Sequence, residues 1–122
     1  MTIRFVSKTI HAYLDYPVAF SLMAMPFLLG LGGSNPVALW LSVATGIAAF
    51  ILTILTDHHL GVFKVLPYSV HLAVDRLVGL VFVAMPFALG FAGLDLIYYL
   101  ANGLAVLLVT SLHKPEKELV AA

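Results

Sequence analysis

Charge is rare and clustered along this chain, and the gaps between charges set its elements. From Tyr16 to Thr56 no residue carries a formal charge. A helix crosses a bilayer core with about 20 mostly apolar residues. The uncharged stretch is therefore long enough for two crossings and needs a break. Gly32-Gly33-Ser34-Asn35-Pro36 provides it: Asn35 can cap a helix and Pro36 suits its first position, where no backbone N–H is required. The pattern predicts a first helix over about Thr9–Leu31 and a second over about Pro36–Thr56. Asp57, His58 and His59 end the second. A connector over about 59–68 follows. It mixes Lys64 and Pro67 with Leu60, Val62, Phe63, Val65 and Leu66, a pattern suited to the membrane interface. A third helix is expected over about Ser69–Phe91. Gly93-Leu94-Asp95 forms a turn with Asp95 as N-cap, and a fourth helix runs to about Leu112. His113-Lys114-Pro115 stops it, and 114–122 is a short charged tail. Leu31-Gly32-Gly33-Ser34 offers no small-x-small cleavage site, so the first segment is read as an uncleaved helix.

The chain also repeats itself. Residues 11–33 align without gaps to residues 71–93, with ten identities in twenty-three positions. His11 matches His71 and Asp15 matches Asp75. Ala24-Met25-Pro26-Phe27 matches Ala84-Met85-Pro86-Phe87, and Leu29-Gly30 matches Leu89-Gly90. Thr45-Gly46 matches Asn102-Gly103 more loosely. Each copy holds two spans, so both would insert in the same sense, related by a pseudo-twofold axis along the membrane normal. The expected fold is all-α: one domain, residues 1–122, forming a four-transmembrane-helix bundle from two tandem hairpins. Repeat one covers about 9–58 and repeat two about 69–113. Parallel copies do not build the inverted repeat of an alternating-access transporter.

The blocks Met25-Pro26-Phe27-Leu28-Leu29-Gly30-Leu31 and Met85-Pro86-Phe87-Ala88-Leu89-Gly90-Phe91 resemble the Ser-Pro-Trp signature of the SPW-repeat family of small bacterial membrane proteins. Met stands for Ser and Phe for Trp in both copies. The resemblance covers both hairpins. It implies a membrane hairpin repeat in a bacterial inner membrane and no established activity, so it assigns no catalytic residue.

Composition agrees with a lipid-facing surface: 62% of residues are hydrophobic, 10% are charged, and a soluble domain has about 25% charged. The formal net charge is zero, which provides no field to attract nucleic acid. The chain has no cysteine, which excludes disulfides, thiolate metal sites and a Cys nucleophile. All six basic residues, Arg4, Lys8, Lys64, Arg76, Lys114 and Lys117, fall on one side of the predicted arrangement. The positive-inside rule then puts both termini in the cytoplasm.

Proline inside a helix removes one hydrogen bond and clashes with the carbonyl four residues back. Pro26 and Pro86 are therefore expected to kink helices one and three, with Phe27 and Phe87 beside the kinks. Gly46 and Gly103 suit close helix contact. Asn102, the one amide in a predicted span, is expected to bond another helix or a backbone carbonyl.

Five histidines (His11, His58, His59, His71 and His113) fall at the cytoplasmic rim with Asp15, Asp57 and Asp75. His11 with Asp15, and His71 with Asp75, are four apart and share a helix face. Asp75-Arg76 reads as a solvated anchor. Three uses are open for the cluster: interfacial polar residues that complement helix dipoles, ligands for a metal or haem iron, and a proton relay or quinone-head site. No nucleophile–base pair, phosphate-binding glycine loop or pocketed acid pair is present, so no enzyme is expected. The sequence points first to a non-enzymatic structural or interaction role, as an accessory subunit of a membrane complex or a homo-oligomer. The alternatives are an electron-transfer or proton-relay module with a haem, metal or quinone, and a small transporter or channel.

Overall fold

The computed structural model describes residues 4–58 and 60–113. They form four helices in chain order: α1 (Lys8–Leu28), α2 (Val37–Leu55), α3 (Tyr68–Leu89) and α4 (Gly93–Ser111). Apart from these, two isolated backbone bridges occur among the described residues, Val6 with His113 and Thr56 with Leu66. His59 and the tail 114–122, with Lys114 and Lys117, lie outside the described residues.

Of the four helices, α2, α3 and α4 are long and apolar enough to cross a membrane. α1 has the length, 21 residues, but Lys8, His11 and Asp15 in its first turns lower its hydropathy. The side-chain arrangement is inverted relative to a soluble bundle. Large apolar side chains face outward: Leu28 is 77% exposed, Phe87 72% and Trp40 59%. Small and polar residues line the contacts, as Ala12, Ala19, Ala38, Ser42 and Thr53 do. In lipid, burying apolar area between helices gains nothing, and small residues allow close backbone packing instead.

α1 packs along α2 and α3 along α4, and contacts between the two hairpins are sparse. The close approaches occur at matching glycines. A Cβ on Gly46 would lie 2.6 Å from the Met23 Cγ and 2.9 Å from the Ala19 carbonyl oxygen. On Gly103 it would lie 2.9 Å from a Val83 methyl and 3.0 Å from the Gly79 carbonyl oxygen.

The repeated Pro-Phe-x-x-Gly blocks end their helices. Pro26 and Pro86 sit in the last turns of α1 and α3, both fully buried. Gly30 follows at φ +65° and Gly90 at φ +69°, a left-handed conformation that glycine adopts without a Cβ penalty. The chain then reverses, and Leu31 and Phe91 donate their N–H groups to the carbonyls of Pro26 and Pro86 at 2.9 and 2.8 Å. This is a Schellman termination, with the following apolar residue tucked into the core. Leu31 and Phe91 are buried, whereas Phe27 and Phe87 point outward, Phe27 against Trp40. Pro26 has no N–H for the carbonyl of Leu22. The Ser42 hydroxyl of α2 donates to that carbonyl at 2.8 Å.

The loop end of the bundle is closed by a polar clasp above an aromatic core. Asp95 does not cap α4, whose N-cap is Ala92. Its buried carboxylate accepts from Gly32 N (2.9 Å), Ser34 N (3.0 Å) and Ser34 Oγ (2.6 Å) of the other hairpin. Asn35 accepts from Val37 N at 3.0 Å and donates to the Leu89 carbonyl at 3.3 Å. Beneath them Tyr99 stacks on Phe82 and donates to the Ala38 carbonyl at 2.7 Å. Tyr98 pairs with Ser42 at 2.7 Å; because that serine already donates to Leu22, the tyrosine is the donor. Asn102 bonds its own helix, donating to the Tyr98 carbonyl at 2.9 Å.

The close approach at Gly46 is directly testable. Gly46→Val should destabilise the bundle by about 1–3 kcal/mol through overpacking, measured by circular dichroism during denaturant titration in mild detergent. Gly33→Ala, with nothing within 4 Å of the added Cβ, should stay within about 0.5 kcal/mol of the parent.

Candidate metal centre

The opposite end of the bundle is built where the starts of α1 and α3 meet the ends of α2 and α4. Ser7 caps α1 by accepting from Ile10 N at 3.1 Å. This sets Lys8 as the first helical residue and puts His11 and Asp15 on the inner face, four residues apart. His71 and Asp75 occupy the same places on α3. The connector after α2 folds back: Val62 N and Phe63 N reach the Ile54 carbonyl at 2.8 and 3.1 Å, and Leu66 N reaches the Leu55 carbonyl at 2.8 Å. That return satisfies the end of α2 and holds Thr56 and His58 against α3.

Five side chains meet there. The His11 Nε2 lies 2.7 Å from Asp75 Oδ2 and 3.0 Å from Asp15 Oδ1. The His71 Nε2 lies 3.3 Å from Asp15 Oδ2 and 3.3 Å from Asp75 Oδ2. The four residues thus alternate imidazole, carboxylate, imidazole, carboxylate around a ring that crosses between the hairpins. One ligand atom from each lies within 4.8 Å of all the others. His58 adds a fifth group, its Nε2 3.3 Å from Asp15 Oδ2. The His58 side chain is fully buried, and neither of its ring nitrogens has a hydrogen-bond partner; Asp15 Oδ2 and His11 Nδ1 also lack one.

Hydrogen-bond bookkeeping fixes the orientation of His71. The Thr56 hydroxyl donates to the Leu52 carbonyl at 2.6 Å and has one hydrogen. Its 2.7 Å bond to His71 Nδ1 must therefore be accepted from the ring. With a proton on Nδ1, the neutral imidazole presents a bare lone pair at Nε2. That lone pair faces two carboxylates, which repel it. Either a second proton or a cation has to stand between them. His11 poses a related problem: its Nε2 faces two carboxylates, and a single N–H cannot align with both.

The remaining candidates divide clearly. His113 lies beside the ring, its imidazole 5.4 Å from that of His11. Its Nε2 pairs with the Tyr68 hydroxyl at 2.6 Å. Arg4 donates to the His113 carbonyl, and Val6 N bonds the Leu112 carbonyl at 3.0 Å. Asp57 is exposed and outside the cluster, its N–H bonded to the Leu66 carbonyl at 2.8 Å. Asp75 is no solvated anchor: it turns inward to His11, while Arg76 is exposed. His59 lies outside the described residues. Pro26, Pro86, Phe27, Phe87, Gly46 and Gly103 are all remote from this end. Sequence reading missed Thr56 and Tyr68. Tyr68 had a signal, since it precedes His71 by three residues on the same helix and stacks on it; Thr56 had none.

A cavity of about 490 Å³ extends from the ring into the bundle, with Asp15 and Asp75 both in its wall, a pocketed acid pair that the sequence reading did not foresee. It runs between the hairpins past Val18 and Val78 to Leu22, Thr45 and Asn102. Its wall is apolar except at the ring and at a few threonines and Asn102.

The cross-hairpin pair His11–Asp75 can be isolated by a double-mutant cycle of His11→Ala and Asp75→Ala. A coupling of about 1.5–3 kcal/mol, the range for hydrogen bonds to charged groups, is expected from unfolding in detergent with chelator present. The same cycle between His11 and exposed Asp57 should give no coupling.

No family model, curated protein or solved structure matches this chain.

Proposed function

We propose that this chain is an integral membrane protein that holds a divalent first-row transition metal between two tandem helical hairpins. The ligands are His11, Asp15, His71 and Asp75, with His58 as a fifth. One observation carries the reading: two imidazoles and two carboxylates, drawn from both hairpins, each bring one ligand atom within 4.8 Å of all the others, with the His58 Nε2 a further 3.3 Å from Asp15. Metal–ligand bonds of about 2.0–2.2 Å put neighbouring tetrahedral ligands about 3.3–3.6 Å apart; the two His71 edges, each 3.3 Å, have that spacing, and the two His11 edges, 2.7 and 3.0 Å, are hydrogen-bond contacts that would have to open around an ion. The donor set is nitrogen and oxygen without sulfur, which suits zinc, iron or manganese over copper(I). Thr56 supplies the outer contact that a metal-bound histidine commonly makes through its other nitrogen. Two carboxylates would also balance a divalent charge, which matters in an apolar bundle. A haem is less well served, because Asp15 and Asp75 lie between the two imidazoles.

The membrane setting is supported by three apolar helices and by outward-facing Phe, Leu and Trp. In this reading α1 crosses too, its polar first turns at the rim. Arg4, Lys8, Lys64 and Arg76 all belong to the metal-bearing end, which favours a cytoplasmic location for that end and for both termini, in a bacterial inner membrane. The duplication, and with it the SPW-repeat resemblance, draws support from the matched helix terminations and from the bridges Val6–His113 and Leu66–Thr56, which occupy equivalent places. A purely structural role, as an accessory subunit or homo-oligomer, is the second reading. It is favoured by the fact that the same ring ties the hairpins together.

Elemental analysis of protein purified without chelator separates the two. One equivalent of metal per chain is expected, lost in His71→Ala and in Asp15→Asn. Thr56→Val should weaken affinity by roughly ten- to a hundredfold, the usual cost of removing such an outer contact. A folded protein that takes up neither zinc, manganese nor iron(II) in titration calorimetry would leave the structural role standing.

A further inference from the structure

The cavity below the ring is placed to receive a molecule from the bilayer. We infer that it binds a single-chain lipid with an uncharged oxygen head group, such as a long-chain alcohol, with the head at the His–Asp ring and the tail between the hairpins. The inference rests on the metal reading for the head group, and on the cavity alone for the tail.

Shape argues for one chain. The cavity reaches from His11 to Leu22 along α1, eleven residues, or about 16 Å at 1.5 Å per residue. It runs lengthwise between the hairpins, from the ring to Leu22 and Asn102, as a tube open along one side. An extended tail of roughly a dozen carbons, with C–C bonds of about 1.5 Å in a zigzag, spans that length. The volume lies within the range of about 300–1,000 Å³ usual for ligand sites.

The walls argue for a hydrocarbon. Leu14, Val18, Ala49, Val74, Val106 and Val109 line the tube. Most of the hydroxyls that reach it are committed to their own helices: Thr45 to the Leu41 carbonyl and Thr53 to the Ala49 carbonyl, each at 2.7 Å. A polar ligand would find few partners along the tube and would lose its hydration.

The polar end selects the head. Among the described residues that line the cavity none is Lys or Arg, so these offer an anionic head no fixed cation. Two carboxylates already neutralise a divalent ion, and an added negative charge in this apolar setting would be costly. A neutral oxygen can complete the coordination of the ion or accept from His11. Access follows from the packing: contacts between the hairpins are sparse along their length, so a tail can enter sideways through a seam.

The test uses the full chain in lipid nanodiscs with dodecan-1-ol carrying a photoreactive diazirine at the terminal carbon. After irradiation, peptide mapping is expected to place the label near Leu22, Thr45, Val78 or Asn102. Ala49→Phe and Ala105→Phe fill the tube from opposite hairpins, and each should abolish that labelling while retaining the metal measured on the same sample. Label confined to outward residues such as Leu80, Ile97 and Leu104, or persisting at Leu22 in both filled variants, overturns the inference. The map on the unsubstituted protein decides even if a filled variant misfolds. Outward labelling of a metal-bearing protein leaves the metal reading intact. Cavity labelling of a metal-free protein sustains the tail site and removes the metal reading.

Discussion

Two carboxylates enclosed in an apolar bundle set the terms for everything at one end of this molecule. Asp15 and Asp75 are held mostly out of water, at 9% and 20% side-chain exposure, and a buried charge without compensation is costly. Three imidazoles supply that compensation, and they come from different elements. α1 gives His11, the return after α2 gives His58, and α3 gives His71. Satisfying the aspartates therefore means assembling the bundle. The capped start of α1, the backward fold of the connector and the pairing of Val6 with the end of α4 all serve to bring these groups within reach.

The loop end follows the same logic with one carboxylate. Asp95 accepts three hydrogen bonds from the loop of the other hairpin, and Ser42 passes a hydrogen-bond chain from Tyr98 to the carbonyl that Pro26 leaves unpaired. Between these two polar fastenings the hairpins have little holding them. The cavity lies in that interval. A bundle fastened at its ends can be wide in the middle without coming apart.

Much of this was legible in the sequence, for identifiable reasons. Charge-free runs and glycine-rich breaks gave four helices to within a few residues. The i, i+4 spacing of His11 with Asp15 and of His71 with Asp75 put each pair on one face. What could not be read was which partners would cross. His11 meets Asp75, 64 positions away, and no local pattern encodes that. Pro26 and Pro86 were read as interior residues of helices ending at about Leu31 and Phe91, whereas those helices end at Leu28 and Leu89. The glycine four residues later was the available sign of a terminus. Asp95 was misread as a cap because its acceptors serve a neighbouring loop, a tertiary role that helix-start rules do not contain. Thr56 carried no sequence signal, since its hydroxyl matters only through the ring it orients.

The backbone bond from Val6 to Leu112 brings the beginning of α1 to the end of α4, just as the connector brings the end of α2 to the beginning of α3. The two junctions are alike in geometry, and only one of them is covalent. The helix ends around the ring are thus tied on both sides, once by the chain itself and once by a backbone pairing that needs no covalent link.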